Sequence, residues 1–421
     1  MKTALIARNA GVRNTSGSSQ NSRAYGVAKG GLKTFRGEFW TARQRQMHPV
    51  HYTVSYRASF KPELPEFFIR KFCSSTDELV LDPFGGRGTT VLQANLMGYS
   101  GIYNDINPVS HFISHSRRTI PELPLLIERV NGLNLSRWKF KLDSNESSRL
   151  LPFFHHDTLQ EILNLRKILT ADSDKNDHVL QYLGVTALSR LYGHSDGFFS
   201  VYTFPQISIM PGAQRRNNIN RGVKPEYRNV QERIIRKLRR DLSQELPEHY
   251  HLASQKNSYL NGDARSLNGV ASNSVSLVVT SPPFLDKVNY VDDNWLRAWF
   301  LNMEEEMRTS EVMMTPDTRE WTGFMRDVIR ELGRVLKIDG RIVIEVGEVK
   351  SGRRLENLEE LLIEQLPLEV EGGLLVGEEL YLNEQSFTKL SNCWDIKNNK
   401  LGTNTNRCLV IKKKAKKNLK R

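Results

Sequence analysis

Two short stretches hold the residue types from which a reaction could be built. The first is Ser274-Val-Ser-Leu-Val-Val-Thr-Ser-Pro-Pro-Phe284. Its apolar, β-branched run predicts a strand buried on both faces, as in a parallel sheet. Two consecutive prolines supply no N–H and end the ladder. Thr280, Ser281, Pro282, Pro283 and Phe284 therefore fall at the carboxyl end of a central strand, where open α/β sheets bind their ligands. A hydroxyl, a rigid diproline and an aromatic ring meet there. The bland alternative is a strand that ends in a Pro-rich turn.

The second stretch is Asp77-Glu-Leu-Val-Leu-Asp-Pro-Phe-Gly-Gly-Arg-Gly-Thr-Thr90. Leu79 to Leu81 predicts another short buried strand with Asp82 at its end. Gly85, Gly86 and Gly88 predict a loop that adopts positive φ and lets a ligand approach the backbone. Thr89 or Thr90 is expected to cap a helix over Val91–Met97 that stops at Gly98. A strand over Gly101–Asp105 would complete a β–loop–α–β nucleotide-binding unit. Asp105 lies 23 positions after Asp82, near the spacing of roughly 20 at which an acid grips ribose hydroxyls. The loop is neither G-x-G-x-x-G nor a Walker loop, so a nucleoside cofactor without pyrophosphate fits better. S-adenosyl-L-methionine is the expected one.

Asp82-Pro-Phe-Gly-Gly-Arg-Gly-Thr-Thr90 and Thr280-Ser-Pro-Pro-Phe284 together resemble the cofactor and catalytic motifs of the amino-group DNA methyltransferases. That family's catalytic motif is Asp/Asn/Ser-Pro-Pro-Tyr/Phe, and the serine form resembles its cytosine-N4 branch. Asn261-Gly-Asp-Ala264 is similar to the stretch whose acid lies near the cofactor adenine, and Leu332–Gly347 to a later helix–turn–strand. The resemblance spans roughly 48–118 and 257–411. It implies a Rossmann-like class I methyltransferase sheet, mostly parallel, closed by an antiparallel hairpin from Gln385–Lys389 and Gly402–Ile411. It also implies a cofactor site of Phe60, Lys61, Pro62, Asp82, Pro83, Phe84, Gly85, Gly86, Gly88, Thr89, Thr90, Asp105, Asn107, Asp263, Ala264 and Thr280. Ser281, Pro282, Pro283 and Phe284 would be catalytic, without a metal. The motif order is closest to the family's α-type permutation, although there the insert usually follows the adenine-contacting acid, and here it precedes Asp263.

The chemistry the resemblance implies is specific. An exocyclic cytosine amine is a poor nucleophile because its lone pair is delocalised into the ring. The Ser281 hydroxyl and Pro282 carbonyl can accept its two hydrogens and localise that lone pair in the transition state. Pro283 would keep the loop rigid and Phe284 offer a stacking face. The base must be flipped out of the duplex, at a cost of a few kcal/mol. Adenine-N6 or an RNA base are the alternative targets, although no RNA-binding module is visible. A non-catalytic DNA-binding protein is the reading from another class, and the intact motifs weigh against it.

The elements that must position these residues leave 138 positions, 119–256, to an insert before Asp263, too long for a simple loop. Thr158-Leu-Gln-Glu161 predicts a capping box opening an amphipathic helix, His178 to Tyr192 a second helix, and Phe198 to Ile209 an extended run. Residues 215–240 carry ten Lys/Arg against Glu226 and Glu232. The insert, 119–256, is thus expected to meet double-stranded DNA as the target-recognition region, through Arg215, Arg216, Arg221, Lys224, Arg228, Arg236, Lys237 and Arg240. A packing insert with a solvated basic face is the alternative.

Net charge is +13 over 421 residues. Residues 1–46 contribute +8 and 412–421 contribute +7, so the body, 47–411, carries −2. Both ends are expected to be flexible basic arms adding nonspecific phosphate affinity. The catalytic domain would then be 47–118 with 257–411. Gly193-His-Ser-Asp-Gly197 matches a hydrolase elbow, but a helical pattern precedes it and an extended run follows, the reverse of what an elbow needs. His111 and His115 lack the further ligands of a zinc site. Cys73, Cys393 and Cys408 are too scattered for a disulfide framework, and none follows a proline as in the cytosine-C5 enzymes. No run of ~18 apolar residues or apolar leader occurs, so a cytoplasmic modification enzyme, with a restriction endonuclease as possible partner, is the expectation.

Overall fold

The chain lays down its sheet in two stages. Arg23–Val27 (β1) and Lys33–Gly37 (β2) form an antiparallel edge pair. Val80–Asp82 (β3), Gly101–Asn104 (β4), Ser258–Leu260 (β5), Val275–Thr280 (β6) and Leu336–Val346 (β7) then pair in parallel as β5-β4-β3-β6-β7. Glu348–Ser351 (β8) and Arg354–Asn357 (β9) make a separate ribbon. Leu368–Val370 (β10), Gly373–Glu384 (β11) and Thr405–Ala415 (β12) follow, with β12 antiparallel between β7 and β11. The ten-stranded sheet thus reads β1-β2-β11-β12-β7-β6-β3-β4-β5, with β10 beside β11. This is a Rossmann-like, mostly parallel sheet closed by an antiparallel hairpin of β11 and β12. The computed structural model describes residues 23–27, 32–40, 46–57, 59–171, 177–204, 209–283, 289–351, 354–384 and 405–416. Cys393 and the expected strand at Gln385–Lys389 lie outside these residues.

Helices Glu63–Phe72 (α1), Thr89–Leu96 (α2) and Pro108–His115 (α3) belong to the first half of the sheet. The insert holds Leu123–Asn131 (α4), Ser144–Leu150 (α5), His156–Leu169 (α6), His178–Leu188 (α7), Pro211–Arg221 (α8), Val230–Asp241 (α9) and His249–Gln255 (α10). Tyr290–Leu301 (α11), Glu304–Thr309 (α12), Thr318–Val335 (α13) and Leu358–Ile363 (α14) follow. Strand alternation sends successive residues to opposite faces. Val80, Leu277, Val279, Val343, Cys408 and Val410 pack with α1 and α2 on one face. Leu81, Val278, Ile342, Ile344, Leu409 and Ile411 pack with α13 and α14 on the other. Burial on both sides is why these strands read as unbroken apolar runs.

Several expectations are corrected by packing. The N-terminal 46 residues are not simply an arm: β2 pairs with β11, and Leu32 and Trp40 are buried in the two sheet cores. Nor does a tail begin at Lys412. Residues to Ala415 belong to β12, and Lys413 is buried, donating to Asn273 Oδ1 at 2.8 Å and the Leu336 carbonyl at 2.9 Å. The insert shares one core with Val50, Val54, Val109, Ile113, Leu296, Trp299 and Phe300, so no packing boundary falls at 118/119. The capping box at Thr158 does not form, since α6 starts at His156. Thr158 instead bonds the backbone of Arg228, and Glu161 accepts from Val230 N, tying α6 to the start of α9. The run from Phe198 contains no strand among the described residues, only an isolated Gly193–Tyr202 bridge.

Candidate active site

In this sheet the strand order reverses between β3 and β6, and the crevice at their carboxyl ends is the expected ligand site. Asp82 closes that junction from below. Its carboxylate is 1% exposed and accepts from Thr280 Oγ1 at 2.7 Å, Thr90 Oγ1 at 2.8 Å and Phe84 N at 3.2 Å. Burial pushes the Asp82 carboxyl up to about 7, against the pull of these three bonds. Asp82, Thr90 and Thr280 are thus braces beneath the site and do not line it.

The glycine loop is fixed by close approach. A Cβ on Gly85 would stand 2.3 Å from the Tyr103 ring, which only glycine avoids. Gly88, at φ 76°, takes the N-cap position of α2, in place of the expected threonine. Thr89 instead faces the cleft, and its hydroxyl lies 3.3 Å from Ser59 Oγ. Arg87 reaches back to Ser59 Oγ at 2.9 Å and to the carbonyls of His51 and Val54. Arg117 in turn donates to the Arg87 carbonyl. A buried guanidinium therefore staples the segment before α1 to the loop.

Above the loop lies a cleft enclosing about 810 Å³, open to solvent. The Asp105 carboxylate stands on its wall, accepting from Gly86 N at 2.7 Å and Asn107 N at 2.9 Å. Burial raises its pKa to about 6. Each carboxylate oxygen retains a lone pair that a ligand hydroxyl could use. Asn107 lines the cleft and also caps α3 through Val109 N and Ser110 N. Farther along, Asp263 pairs with Arg265 at 2.5 Å, which holds its carboxyl below the usual range, and Ala264 adjoins it. Phe84 and Phe324, 6.0 Å apart, supply apolar faces.

Ser281 and Pro283 line the end of the cleft nearest β6. Trp321 Nε1 holds the Pro283 carbonyl at 2.9 Å. Ser281 Oγ is buried without a well-directed hydrogen-bond partner. Glu345, at the end of β7, is near enough for that hydroxyl to favour its charged form but is not aligned to bond it. Its Oε1 accepts from Asn406 Nδ2 at 2.6 Å, and burial raises its pKa.

Of the sequence-predicted residues, the fold brings Phe60, Pro83, Phe84, Gly85, Gly86, Thr89, Asp105, Asn107, Asp263, Ala264, Ser281 and Pro283 to one cleft. Lys61 and Pro62 do not line it, because Pro62 is the buried N-cap residue of α1. Gly88 and Pro282 lie behind the lining, and Phe284 falls outside the described residues. Gly262, within Asn261–Ala264, Ile106, in the turn after Asp105, and Tyr290, in the loop after the catalytic strand, line the cleft too, whereas sequence reasoning missed Tyr56, Arg57, Ser59, Glu311, Val312, Met313 and Phe324. None carries a local motif, and they converge only through tertiary packing.

The basic residues divide. Arg215, Arg216, Arg221, Lys224, Arg236 and Arg240 are exposed. Lys237 is a correction: its ammonium is buried, 2.6 Å from Asp241 Oδ1 and 2.9 Å from the Tyr52 carbonyl, so it serves the core. Arg228 is likewise occupied, donating to the carbonyls of Ser195, Phe198 and Ser200. Among the described residues no cluster of His, Cys, Asp and Glu is arranged to hold a metal. No helix of the described residues is long and apolar enough to cross a membrane.

Fold and crevice define a Rossmann-like α/β protein with a ligand cleft at the switch point of its sheet. An N6/N4 methylase family model, described as DNA methylase, matches residues 13–114. The chain is similar to the Type II methyltransferase M.BsoBI of Geobacillus stearothermophilus, 22% identical over 337 residues, 71% of this chain and 63% of that one. It is also similar to the Type II methyltransferase M.MjaII of Methanocaldococcus jannaschii, 35% identical over 72 residues, 17% of this chain and 13% of the relative. The alignments thus span less than two thirds of either relative. A Thermus thermophilus protein solved with S-adenosyl-L-methionine aligns at 21% identity over 37% of this chain and 54% of its own, with a TM-score of 0.21.

Proposed function

We propose that this protein is an S-adenosyl-L-methionine-dependent DNA methyltransferase that modifies the N4 amine of a flipped-out cytosine in duplex DNA. The observation that carries the reading is the convergence of Ser281 and Pro283, at the end of β6, with Asp105 and Asp263 on one cleft. Open α/β sheets bind their ligands at the carboxyl ends of the strands beside the switch point, which is where these residues meet. The matched family model and the two Type II methyltransferase relatives support its coarser part, a DNA methyltransferase, and leave the choice of N4-cytosine to the Ser281 motif.

The residues present suit the cofactor. Asp105 has acceptor capacity for ribose hydroxyls, Asp263 and Ala264 adjoin the adenine end, and Phe84 and Phe324 cover it. When bound there, S-adenosyl-L-methionine supplies an electrophilic methyl group. Ser281 Oγ and the Pro282 carbonyl accept the two amine hydrogens of the base and turn its lone pair outward. Glu345 lies behind the hydroxyl as an acceptor for the proton the amine must lose. The exposed Arg215, Arg216, Arg221, Lys224 and Arg240 contact DNA, while Arg236, expected to join them, is paired with Asp196 and Glu232, and 119–256 acts as the recognition region. Such an enzyme works in the cytoplasm beside a restriction endonuclease of the same specificity.

The test is digestion of DNA from expressing cells to nucleosides, followed by mass spectrometry. N4-methylcytosine is expected. N6-methyladenine as the main product would replace the cytosine assignment, and 5-methylcytosine would overturn the amino-methyltransferase reading. Modified nucleosides confined to RNA would overturn the DNA substrate.

A further inference from the structure

The basic surface of the insert is not uniform. On α9 most of the charge is spent within the protein. Arg233 donates to the carbonyls of Asp196 and Asn229, Arg236 pairs with Asp196 and Glu232, and Lys237 is buried. Helix α8 is different. Its sequence Pro-Gly-Ala-Gln-Arg-Arg-Asn-Asn-Ile-Asn-Arg contains no acid, and Gln214 is its one buried residue. A helix that is polar all round gains little from the core, and so needs another reason to be presented.

One face of α8 is clamped. Gln214 Nε2 donates to the Tyr202 carbonyl at 2.9 Å, and Asn218 Nδ2 to the Pro152 carbonyl at 2.7 Å. Asn217 donates to the Phe204 carbonyl, and the Arg221 guanidinium lies 3.9 Å from the Tyr202 ring centroid. At about 100° per residue, the opposite face carries Gly212, Arg216, Ile219 and Asn220, with Arg215 at its flank. Ile219 is 73% exposed. Arg216 and Asn220 are exposed and make no hydrogen bond or ion pair among the described residues. A guanidinium, an amide and an apolar branch are the groups that read guanine, adenine and the thymine methyl in a major groove.

Helix α8 is also coupled to the active site. The Ile209 carbonyl, just before it, accepts from Trp295 Nε1 at 3.2 Å. Trp295 lies on α11, whose first residue, Tyr290, lines the cleft. Five residues of helix separate the two, about 7.5 Å along the axis. The segment leading into α8 is thus joined through α11 to the wall of the cleft.

We propose that α8 is the element that reads sequence, its Arg216–Ile219–Asn220 face entering the major groove of duplex DNA while Arg221 and Lys224 hold phosphates. This rests on the reading of the protein as a DNA methyltransferase. Four full-length proteins test it: the parent, Arg216→Ala with Asn220→Ala, Arg216→Lys, and Arg239→Ala on α9. Methylated positions are sequenced in host DNA, binding is measured on duplexes with and without the parent's site, and cofactor affinity is titrated. The double variant is expected to lose about ten-fold or more in discrimination at one or two base positions. Its cofactor affinity should stay unchanged, Arg216→Lys should show an intermediate loss, and Arg239→Ala should keep the parent's sites. A double variant that methylates the same sites with the same preference overturns the role of α8 and leaves the enzyme reading standing. So does equal weakening on both duplexes, since phosphate contacts position without specifying. A parent that methylates no duplex DNA overturns both.

Discussion

At Asp105 a single carboxylate does two jobs, holding Gly86 and Asn107 and facing the cleft. Loss of a charge-assisted bond to ribose costs about 1.5–3 kcal/mol. Asp105→Ala should therefore weaken S-adenosyl-L-methionine binding roughly ten- to a hundred-fold by calorimetric titration. Ribose hydroxyls donate best to the ionised carboxylate, whose pKa is raised to about 6. Affinity should rise with pH through about 6 and then level, with proton release on binding near pH 6, and a flat profile would remove Asp105 from the ribose contact. Ser281→Ala should keep cofactor and DNA binding while losing about 2–4 kcal/mol of transition-state stabilisation, read as a fall in single-turnover rate.

Among the elements, α9 shows why a basic helix is not simply a DNA-binding one. Lys237 and Asp241 form a buried pair one turn apart. Lys237→Met leaves Asp241 with an uncompensated charge and should destabilise the fold by about 3–5 kcal/mol, seen as a lower denaturation midpoint. The salt dependence of DNA binding measured on the remaining folded protein should not change. If Lys237 contacts phosphate instead, the slope of log affinity against log salt will fall by about 1.

Across the whole molecule, the two sheet halves are held at the carboxyl ends of β3 and β6 by Asp82, Thr90 and Thr280. Asp82 carries a folded pKa near 7 against an ordinary 3.8. A carboxyl whose folded pKa is raised binds its proton longer in the native state. Its contribution to stability is therefore greatest below about pH 4 and declines as pH rises to about 7. Asp82→Asn should flatten that part of the pH–stability curve, as measured by denaturant titration at several pH values. Truncation separates the sheet from the extreme C-terminus. Ending the chain after Lys416 should flatten the salt dependence of DNA binding without changing the methylated sites. Ending it after Ile411 removes Lys413 and the pairing of Lys412–Ala415 with β11, and should unfold the protein.

The sequence by itself determined the parts written in local chemistry. The β3–loop–α2–β4 unit, the β6 strand ending at Pro282 and the Asp82–Asp105 spacing follow from apolar runs, glycines and prolines, because those residues restrict the backbone wherever they stand. What only the tertiary structure decided is which polar groups remain available. Asp82, Thr90 and Thr280 satisfy one another in the interior, and Thr158 and Glu161 serve α9 when a local cap was expected. Lys237 and Lys413 are taken into the core, although nothing in a charge run distinguishes them from their exposed neighbours. The cleft wall of Tyr56, Tyr290, Met313 and Phe324 is drawn from segments far apart in the chain. A buried polar group must find its partner wherever packing places one, and sequence spacing does not record that placement.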